Sequence, residues 1–378
     1  MKKIILSGGG TGGHIYPAVA VAEALKERYG DDVELLFVGA EGRMEMDKIP
    51  ALGYRIVGLP IAGLQRRFTW RNLLLPVKII LSIVQAMAVI RKFKADIVVG
   101  FGGYVSAPIL WAASRCGVPT VVQEQNSYAG LTNKLVARRA KAVCVSYTQM
   151  DRFFDNKNIV LTGNPLRGKF GKYAEGDSEE SRILRNEALD YFGLDSERPV
   201  ILVVGGSLGT RTLNNMMCRW IEKLEAQRPE VQVIWQTGKF YETEMNSFLE
   251  SQPTDGVWQG AFIERMDLAY AAADLVISRS GACTVSELCL MGKATIFVPS
   301  PNVAEDHQTK NALALVECDA AIMVADVDAV EQAMPRAIDT LKEEKTLAML
   351  RKNITDLATP NAAESVVDEI EKVLKEAE

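Results

Sequence analysis

The chain has 378 residues, of which 48% are hydrophobic and 24% charged, and its formal net charge is −5 at pH 7. This length favours two α/β domains over one, and the acidic balance argues against a general nucleic-acid binder. The six cysteines are scattered without C-x-x-C or metal-ligand spacing, which predicts reduced thiols and argues against a disulfide framework or a zinc site.

The first predicted elements, in residues 4–25, are a strand and a helix joined by a glycine-rich turn. Glycines let a backbone approach a ligand closely, and the first turn of a helix presents unpaired N–H groups at the positive end of its dipole. This segment therefore predicts a site for an anion or a polar ligand, with His14 at the start of the helix. The chain enters its first strand without the layout of a signal peptide, which favours a cytoplasmic protein.

Three of these glycines, Gly8, Gly10 and Gly13, satisfy the G-x-G-x-x-G pattern of dinucleotide-binding folds. Such a site also needs an acidic residue near the end of the second strand, where it holds a ribose. Residues 35–39 contain none, and Glu41 is the nearest candidate. The pattern alone is a weak indication, and here it lacks its partner.

Residues 65–75 combine arginines with aromatic and aliphatic side chains, notably Arg66, Arg67, Trp70 and Arg71. This mixture suits anionic headgroups and shallow insertion into a membrane surface. A basic loop in front of a buried helix is the alternative. The apolar run that follows is interrupted by proline and polar residues, so we expect a helix on a core or a membrane surface rather than a transmembrane span.

Apolar, β-branched runs alternate with helical patterns along the whole chain, which predicts parallel sheets with crossover helices. The predicted strands are residues 4–6, 35–38, 97–99, 120–122, 142–145 and 159–161, then 200–204, 231–236, 257–260, 275–278, 295–298 and 321–324. We therefore expect an α/β protein with two doubly wound Rossmann-like domains facing a cleft. The expected domains are residues 1–165 and 196–357, with a linker region at 166–195 and a C-terminal helix, about 358–378, that packs back on the first domain.

Polar side chains follow two further strands of the first half, in residues 101–104 and 123–127. Because parallel strands end at one edge of a sheet, we expect these turns beside the turn that precedes His14. Each alone could be an ordinary loop, but three polar turns at one edge predict a ligand site.

Residues 278–287 also leave a strand, turn on Ser-Gly and begin a helix. The N–H groups of this turn and the hydroxyls of Ser280 and Thr284 suit a diphosphate, and Glu287 could accept two hydrogen bonds from a ribose diol. A well-capped helix with a surface glutamate is the alternative.

In residues 305–311, helical spacing places His307 and Asn311 on one face, with Gln308 beside them. Neutral side chains that both donate and accept hydrogen bonds suit sugar hydroxyls. An ordinary exposed helix start is the alternative for this segment.

In this order the motifs closely resemble those of the MurG family of bacterial UDP-N-acetylglucosamine transferases, over essentially the whole chain. The matching segments are residues 8–14, 101–104, 124–126, 163–167, 205–207, 262–263, 279–282 and 284–287, and Gln308 with Asn311. The resemblance implies a GT-B type hexosyltransferase of peptidoglycan synthesis, peripheral to the cytoplasmic face of the bacterial inner membrane. It implies inverting transfer of GlcNAc from UDP-GlcNAc to the 4-hydroxyl of the MurNAc of lipid I (undecaprenyl-pyrophosphoryl-MurNAc-pentapeptide), which gives lipid II. The implied partners are these substrates and an anionic membrane surface, with no nucleic acid.

The resemblance also implies roles for individual residues. In the second domain Ile263 would meet the uracil, and Gln308 would hold the sugar, beside which helical spacing places His307 and Asn311. The diphosphate and ribose would meet Ser207, Ala282, Cys283, Thr284, Val285, Ser286 and Glu287. From the first domain Thr11, Gly12, Gly13, Asn126 and Arg167 would reach the donor, and the acceptor and membrane side would include Gly103, Tyr104, Glu124, Arg66, Arg67, Trp70 and Arg71. Well-known members carry Gln-Gln where this chain has His307-Gln308, which makes the implied sugar selectivity at that position less secure.

We expect His14 to be the general base that takes the proton of the acceptor hydroxyl, because a helix N-terminus disfavours the imidazolium and keeps the ring neutral at pH 7. A structural histidine that fastens the glycine turn is the alternative. Asp326-Val327-Asp328 is interpreted as a helix cap rather than a metal site. Helix termini would then stabilise the leaving group, so we expect metal-independent chemistry without a cofactor.

Two other functions share parts of this pattern. A UDP-sugar epimerase would have the same fold and nucleotide turn, but it would need catalytic acids at C2 of the sugar. A non-catalytic sensor of nucleotide sugars at a membrane would bind UDP-GlcNAc and turn nothing over. Neither explains a membrane-facing segment beside an acceptor site as economically as a transferase does.

Overall fold

The computed structural model describes residues 1–61, 75–167, 179–206, 208–224, 229–252 and 254–377. The chain divides into two compact units, Met1–Gly168 with Thr359–Glu378, and Lys169–Ala358. Each unit contains one sheet in which the described strands all pair in parallel. The predicted α/β fold class with two doubly wound domains is confirmed.

The first unit has a seven-stranded sheet of order β3-β2-β1-β4-β5-β6-β7. Its strands are β1 (Lys2–Ser7), β2 (Val33–Ala40), β3 (Ile56–Leu59), β4 (Ile97–Gly100), β5 (Thr120–Glu124), β6 (Ala142–Val145) and β7 (Ile159–Leu161). Its helices are α1 (Gly12–Tyr29), α2 (Glu45–Ala51), α3 (Leu75–Phe93), α4 (Ser106–Arg115) and α5 (Leu131–Ala137). The edge strand β3 was not predicted, because its four residues include a glycine and most of it is only half-buried.

The second unit has a six-stranded sheet of order β10-β9-β8-β11-β12-β13. Its strands are β8 (Val200–Val204), β9 (Gln232–Gln236), β10 (Val257–Gly260), β11 (Leu275–Ser278), β12 (Thr295–Phe297) and β13 (Ile322–Met323). Its helices are α6 (Glu179–Phe192), α7 (Arg211–Glu222), α8 (Glu242–Leu249), α9 (Met266–Ala272), α10 (Ala282–Met291), α11 (His307–Val316), α12 (Ala329–Lys342) and α13 (Glu344–Asp356).

Side chains of the first sheet alternate between two apolar cores, because successive residues of a strand point to opposite faces. Ile5 and Val98 belong to the core that is shared with α3 and α4. Ile4 and Ile97 belong to the other core, which also contains Leu25 of α1. The last helix, α14 (Ala362–Ala377), adds its apolar side chains to this second core: Val366, Val367, Ile370, Val373 and Leu374. The C-terminal helix therefore completes the first unit.

In both sheets the order of the strands reverses beside the first strand of the unit. The reversal lies between β1 and β4 in the first unit and between β8 and β11 in the second. At such a switch point the loops after the two strands diverge and leave a crevice outside the carboxyl ends, where ligands of α/β proteins bind. The relevant loops are residues 8–11 and 101–105 in the first unit, and 205–210 and 279–281 in the second.

Candidate active site

Two glycine-rich turns are in backbone contact at the switch point of the first unit. Gly103 has φ 76°, and a Cβ added there would lie 2.3 Å from the carbonyl oxygen of Gly9. The Phe101 N–H donates to Ser7 O at 2.7 Å, which ties the second turn to the end of β1. The two turns can approach this closely only because Gly103 has no Cβ.

His14 lies half-buried at this contact, in the first turn of α1. Its Nδ1 is 3.1 Å from Gly9 O and 3.2 Å from the hydroxyl oxygen of Thr11. A carbonyl oxygen can only accept, so we assign the proton of the neutral ring to Nδ1 and the lone pair to Nε2. A Cβ added at Gly102 would lie 3.0 Å from Nε2, so the imidazole also depends on glycine in the second turn.

Thr11 is the N-cap residue of α1, with extended backbone and no side-chain cap hydrogen bond. Its carbonyl accepts from the N–H groups of His14 and Ile15, both at 3.2 Å. Gly12 and Gly13 are the first two helical residues, where N–H groups have no partner within the helix. The start of α1 therefore offers backbone donors next to His14 in the chain.

Glu124, at the end of β5, is buried and organises the third polar turn. Its Oε1 accepts from the backbone and side-chain N–H groups of Asn126 at 3.1 and 3.2 Å. Its Oε2 accepts from the Gly130 N–H at 3.0 Å and from the Asn133 amide at 2.9 Å. The carboxylate thus holds Asn126 and its own loop in place, which is a positioning role rather than a group extended towards a substrate.

A side-chain hydrogen bond links this third turn to the second turn. The amide of Gln125 donates to Phe101 O at 2.8 Å. Burial raises the pKa of Tyr104, and the neighbouring Arg43 acts in the opposite direction. Arg167 lies further along the same unit and forms an ion pair with Glu23 of α1, with a 3.3 Å Nε–Oε1 distance.

In the second unit, the turn after β8 packs on the turn after β9. Gly209 has φ 72°, and a Cβ added there would lie 1.9 Å from Thr237 O. Gln236, a buried residue that the sequence analysis did not identify, donates to Gly206 O at 2.8 Å and accepts from the Ile263 N–H at 3.0 Å. Its one sequence signal is a polar residue at the end of a strand. Ser207 lies outside the described residues.

The side chain of Ile263 is 1% exposed, so contact of this residue with a uracil would involve its backbone. The same holds for Ala282 and Val285 of α10, which are both buried. Ser286 donates back to Ala282 O at 3.0 Å within the helix, while Cys283 and Thr284 are half-buried. This first turn of α10 therefore offers mainly backbone N–H groups, the donors that suit a diphosphate.

Glu287 lies one turn into α10, and the hydroxyl of the fully buried Tyr270 donates to its Oε2 at 3.0 Å. Burial raises the pKa of Glu287 to about 7, and the hydrogen bond from Tyr270 acts in the opposite direction. Burial also raises the pKa of Tyr270. At neutral pH the carboxyl group is therefore close to the midpoint of its titration.

The start of α11 is tied to the start of α10. Ser280 donates to Gln308 O at 2.8 Å, and the buried Asn311 donates from its amide to Ser280 O at 3.2 Å. Asn311 was predicted to face a sugar beside His307, whereas its amide holds the two turns together. The half-buried Gln308 accepts from the Ser300 N–H at 2.8 Å, and the half-buried His307 begins the helix.

Asp326 accepts hydrogen bonds from the Arg279 guanidinium and from the Thr212 hydroxyl, the latter at 3.2 Å. Asp328 is the N-cap residue of α12 but makes no side-chain cap hydrogen bond. The predicted cap position is therefore confirmed for Asp328, although its side chain makes no cap hydrogen bond, and Asp326 pairs with Arg279 instead. Within the described ranges no three His, Cys, Asp or Glu residues are grouped so that they could hold a metal ion.

The first unit also carries apolar surface near Tyr104. A cavity of about 820 Å³ lies among α3, α4 and α5 and is lined by apolar side chains together with Tyr104, Arg138 and Arg139. Beside it, α3 exposes Val77, Ile80, Leu81 and Val84. The predicted basic and aromatic residues Arg66, Arg67, Trp70 and Arg71 lie outside the described residues. In the part of the chain that is described, no helix has the length and apolar character needed to cross a bilayer.

Comparison with known proteins supports a transferase. The glycosyltransferase family 28 N-terminal domain matches residues 4–145, and the C-terminal domain of that family matches residues 200–369. A protein of Parabacteroides distasonis is 52% identical over 372 residues, which are 98% of each chain. That protein is named UDP-N-acetylglucosamine–N-acetylmuramyl-(pentapeptide) pyrophosphoryl-undecaprenol N-acetylglucosamine transferase.

Solved structures give the same indication. MurG of Acinetobacter baumannii superposes with a TM-score of 0.80 at 30% identity, over 98% of this chain and 100% of that one. A protein described as a UDP-N-acetylglucosamine 2-epimerase from Listeria monocytogenes has a TM-score of 0.66 at 12% identity, over 100% of this chain and 98% of its own. The second likeness shows a shared fold and nothing more.

Proposed function

This chain belongs to glycosyltransferase family 28, and we propose that it transfers GlcNAc from UDP-GlcNAc to the MurNAc of undecaprenyl-pyrophosphoryl-MurNAc-pentapeptide, which gives lipid II. The observation that carries this function is 52% identity, over 98% of both chains, to a protein named for that reaction. The predicted resemblance, enzyme class and transfer of GlcNAc to lipid I are confirmed by this similarity, whereas inversion stays a prediction. The roles of individual residues remain predictions.

The donor is assigned to the switch point of the second unit. There the first turn of α10 would bind the diphosphate, Glu287 the ribose and Gln308 the sugar. Gln236 and Asn311 support this assignment because they hold the adjoining turns at Gly206 O, the Ile263 N–H and Ser280 O. The N–H groups of the first turn of α10 are thereby held in place, and preorganised donors stabilise charge that develops on a leaving group. The UDP oxygen that leaves C1 would thus be stabilised by a helix N-terminus.

The acceptor is assigned to the switch point of the first unit. The 4-hydroxyl of MurNAc would attack C1 of GlcNAc from the face opposite UDP, so that the new bond forms with inversion as the bond to UDP breaks. His14 Nε2 would take the hydroxyl proton, in keeping with the tautomer assigned from the contact of Nδ1 with Gly9 O. Glu124 would hold Asn126, and the turn with Gly103 would hold the histidine.

The test of the reaction is incorporation of labelled GlcNAc from UDP-GlcNAc into a lipid I analogue, with a reaction lacking acceptor run beside it. Acceptor-dependent product with stoichiometric UDP supports the transferase. UDP or an altered sugar formed without acceptor would support an epimerase, and binding without turnover would support a sensor.

Metal independence is the second expectation for this reaction. Asp326 is engaged by Arg279 and Thr212, so this carboxylate supports a structural role. We expect full transferase activity in excess EDTA, measured in the same assay after exchange into metal-free buffer. Strict dependence on an added divalent cation would contradict this expectation.

We also propose that the first unit docks on an anionic membrane surface, where the lipid acceptor resides. The exposed apolar residues of α3 follow the basic segment in the chain, and apolar insertion combined with cationic attraction is the usual basis of such docking. Replacement of Arg66, Arg67 and Arg71 by Ala should weaken binding to anionic vesicles on the order of a hundredfold, at about 1 kcal/mol per arginine.

Two further variants test the apolar part of this surface. Ile80→Glu and Val84→Glu should each weaken vesicle binding, since both side chains are at least 60% exposed. Val327→Glu alters a residue that is 87% exposed in the other unit and should leave binding unchanged. Flotation with liposomes measures all variants, and unchanged binding of the arginine variant would contradict the docking surface.

A further inference from the structure

A buried carboxylate, Glu45, lies under the glycine turn that precedes His14. Glu45 is the first residue of α2, and it is 0% exposed. Its Oε1 accepts from the Ala40 N–H at the end of β2, and its Oε2 accepts from the Gly10 N–H, both at 3.1 Å. A Cβ added at Gly9 would lie 2.2 Å from Glu45 Oε1. The glycine turn is thus shaped around this carboxylate.

The Gly10 N–H and the Gly9 carbonyl belong to one peptide group. A trans peptide is planar, and its N–H and C=O point in opposite directions. Oε2 of Glu45 accepts a hydrogen bond from the N–H of this peptide at 3.1 Å. On the other side, Nδ1 of His14 lies 3.1 Å from the carbonyl oxygen of the same peptide. The contact with Glu45 therefore aims the carbonyl at His14, and its negative charge polarises the peptide so that the carbonyl is a stronger acceptor.

We propose that Glu45 is a positioning residue for His14 and acts through the Gly9–Gly10 peptide. A carboxylate that contacts a catalytic histidine directly fixes its tautomer and stabilises its protonated form. Here the peptide transmits both effects, so that Nδ1 keeps its proton and Nε2 is the atom that takes the proton of the acceptor. This inference rests on the role of His14 in the proposed function.

The same contact explains why the G-x-G-x-x-G pattern misleads. The Gly10 N–H is already used by Glu45, and a carboxylate lies directly against the turn. Both features disfavour a dinucleotide pyrophosphate, which needs those N–H groups and is repelled by a like charge.

The test uses the fact that the chain has two histidines, His14 and His307. Long-range ¹H–¹⁵N spectra of the full-length protein then contain two imidazole systems, which a His307→Gln variant assigns. We expect the neutral His14 ring to carry its proton on Nδ1. A wild-type ring protonated on Nε2 instead would overturn the proposal without the need for any Glu45 variant.

Glu45→Gln removes the charge and places an NH₂ group against one of two backbone N–H groups. We expect His14 to become a mixture of tautomers and kcat to fall by up to about 10²-fold, as for a misplaced catalytic group. The KM for UDP-GlcNAc should change little. Glu45→Asp keeps the charge one methylene further away and should give a smaller tautomer shift and a smaller loss of kcat.

Glu369→Gln is the matched control, because Glu369 is a buried carboxylate of the same unit, paired with Lys372 on α14. It should leave the His14 spectrum and kcat unchanged. An unaltered His14 tautomer in folded Glu45→Gln overturns the proposal whatever its activity. A shifted tautomer combined with a fully active His14→Gln enzyme would overturn the catalytic role of His14 itself, which distinguishes failure of the proposed function from failure of the positioning contact.

Discussion

Replacement of His14 by alanine is expected to lower kcat for GlcNAc transfer by about 10²–10⁴, the range that general base catalysis contributes. The reason is that Nε2 would be the group that receives the proton of the attacking hydroxyl. The affinity for UDP-GlcNAc should be largely retained, since we assign its main binding groups to the second unit. Steady-state kinetics with a lipid I analogue, together with calorimetric titration of the donor, measure the two quantities separately.

The His14→Gln variant distinguishes a general-base role of His14 from a structural role in holding the glycine turn. A glutamine amide can donate to Gly9 O as Nδ1 does, but it cannot take a proton at pH 7. If His14 is the base, both variants lose activity to a similar extent. If it only fastens the glycine turn, His14→Gln should remain active. A loss below about tenfold in His14→Ala would remove the assignment.

The affinity for UDP-GlcNAc is expected to fall as the pH is lowered from 8 to 6, because Glu287 becomes protonated in that range. Burial raises the pKa of this group to about 7, and the carboxylate accepts from the two hydroxyls of a ribose diol more strongly than the protonated form, which gives up part of its acceptor capacity. The sign follows from linkage: a ligand that prefers the charged form lowers the pKa of Glu287 and releases a proton on binding. Calorimetry in buffers of different ionisation enthalpy measures both the affinity and the proton released.

Glu287→Ala should weaken donor binding by about tenfold or more even at pH 8, because a hydrogen bond to a charged group contributes about 1.5–3 kcal/mol. Glu287→Gln keeps a neutral acceptor and should remove most of the pH dependence. His307 is also assigned to the donor site, so the series is repeated in a His307→Gln background. The assignment to Glu287 would be refuted if the pH dependence were lost in His307→Gln and retained when Glu287 is replaced.

Much of the candidate site could be predicted because it follows strands of a parallel sheet. Gly9, Gly103 and Gly281 each follow a strand in the sequence, and the carboxyl ends of those strands lie at the switch points. The clustering of turns therefore follows from the fold class alone. The short edge strand β3 was missed, since four residues, three of them half-buried and one a glycine, leave little periodicity to detect.

The direction of the polar side chains could not be predicted. Glu124 and Asn311 were expected to face ligands, yet both are buried and hydrogen-bonded to neighbouring turns. Glu45 carried no signal and Gln236 only its position at the end of a strand, because an acidic residue at a helix start and an amide at a strand end are common on protein surfaces. Their partners are backbone N–H and C=O groups of other segments, which no residue type identifies.

The sequence by itself therefore determined the fold class, the family and the turns in which chemistry is expected, because apolar periodicity and glycine positions are local properties of a chain. Only the tertiary structure decided which polar side chains hold neighbouring turns and side chains in place. Whether a carboxylate such as Glu45 lies 3.1 Å from a peptide N–H depends on how β2, α2 and the glycine turn pack, and they pack through contacts between residues about 35 positions apart. Burial, tautomer and the raised pKa of Glu287 all depend on such long-range packing.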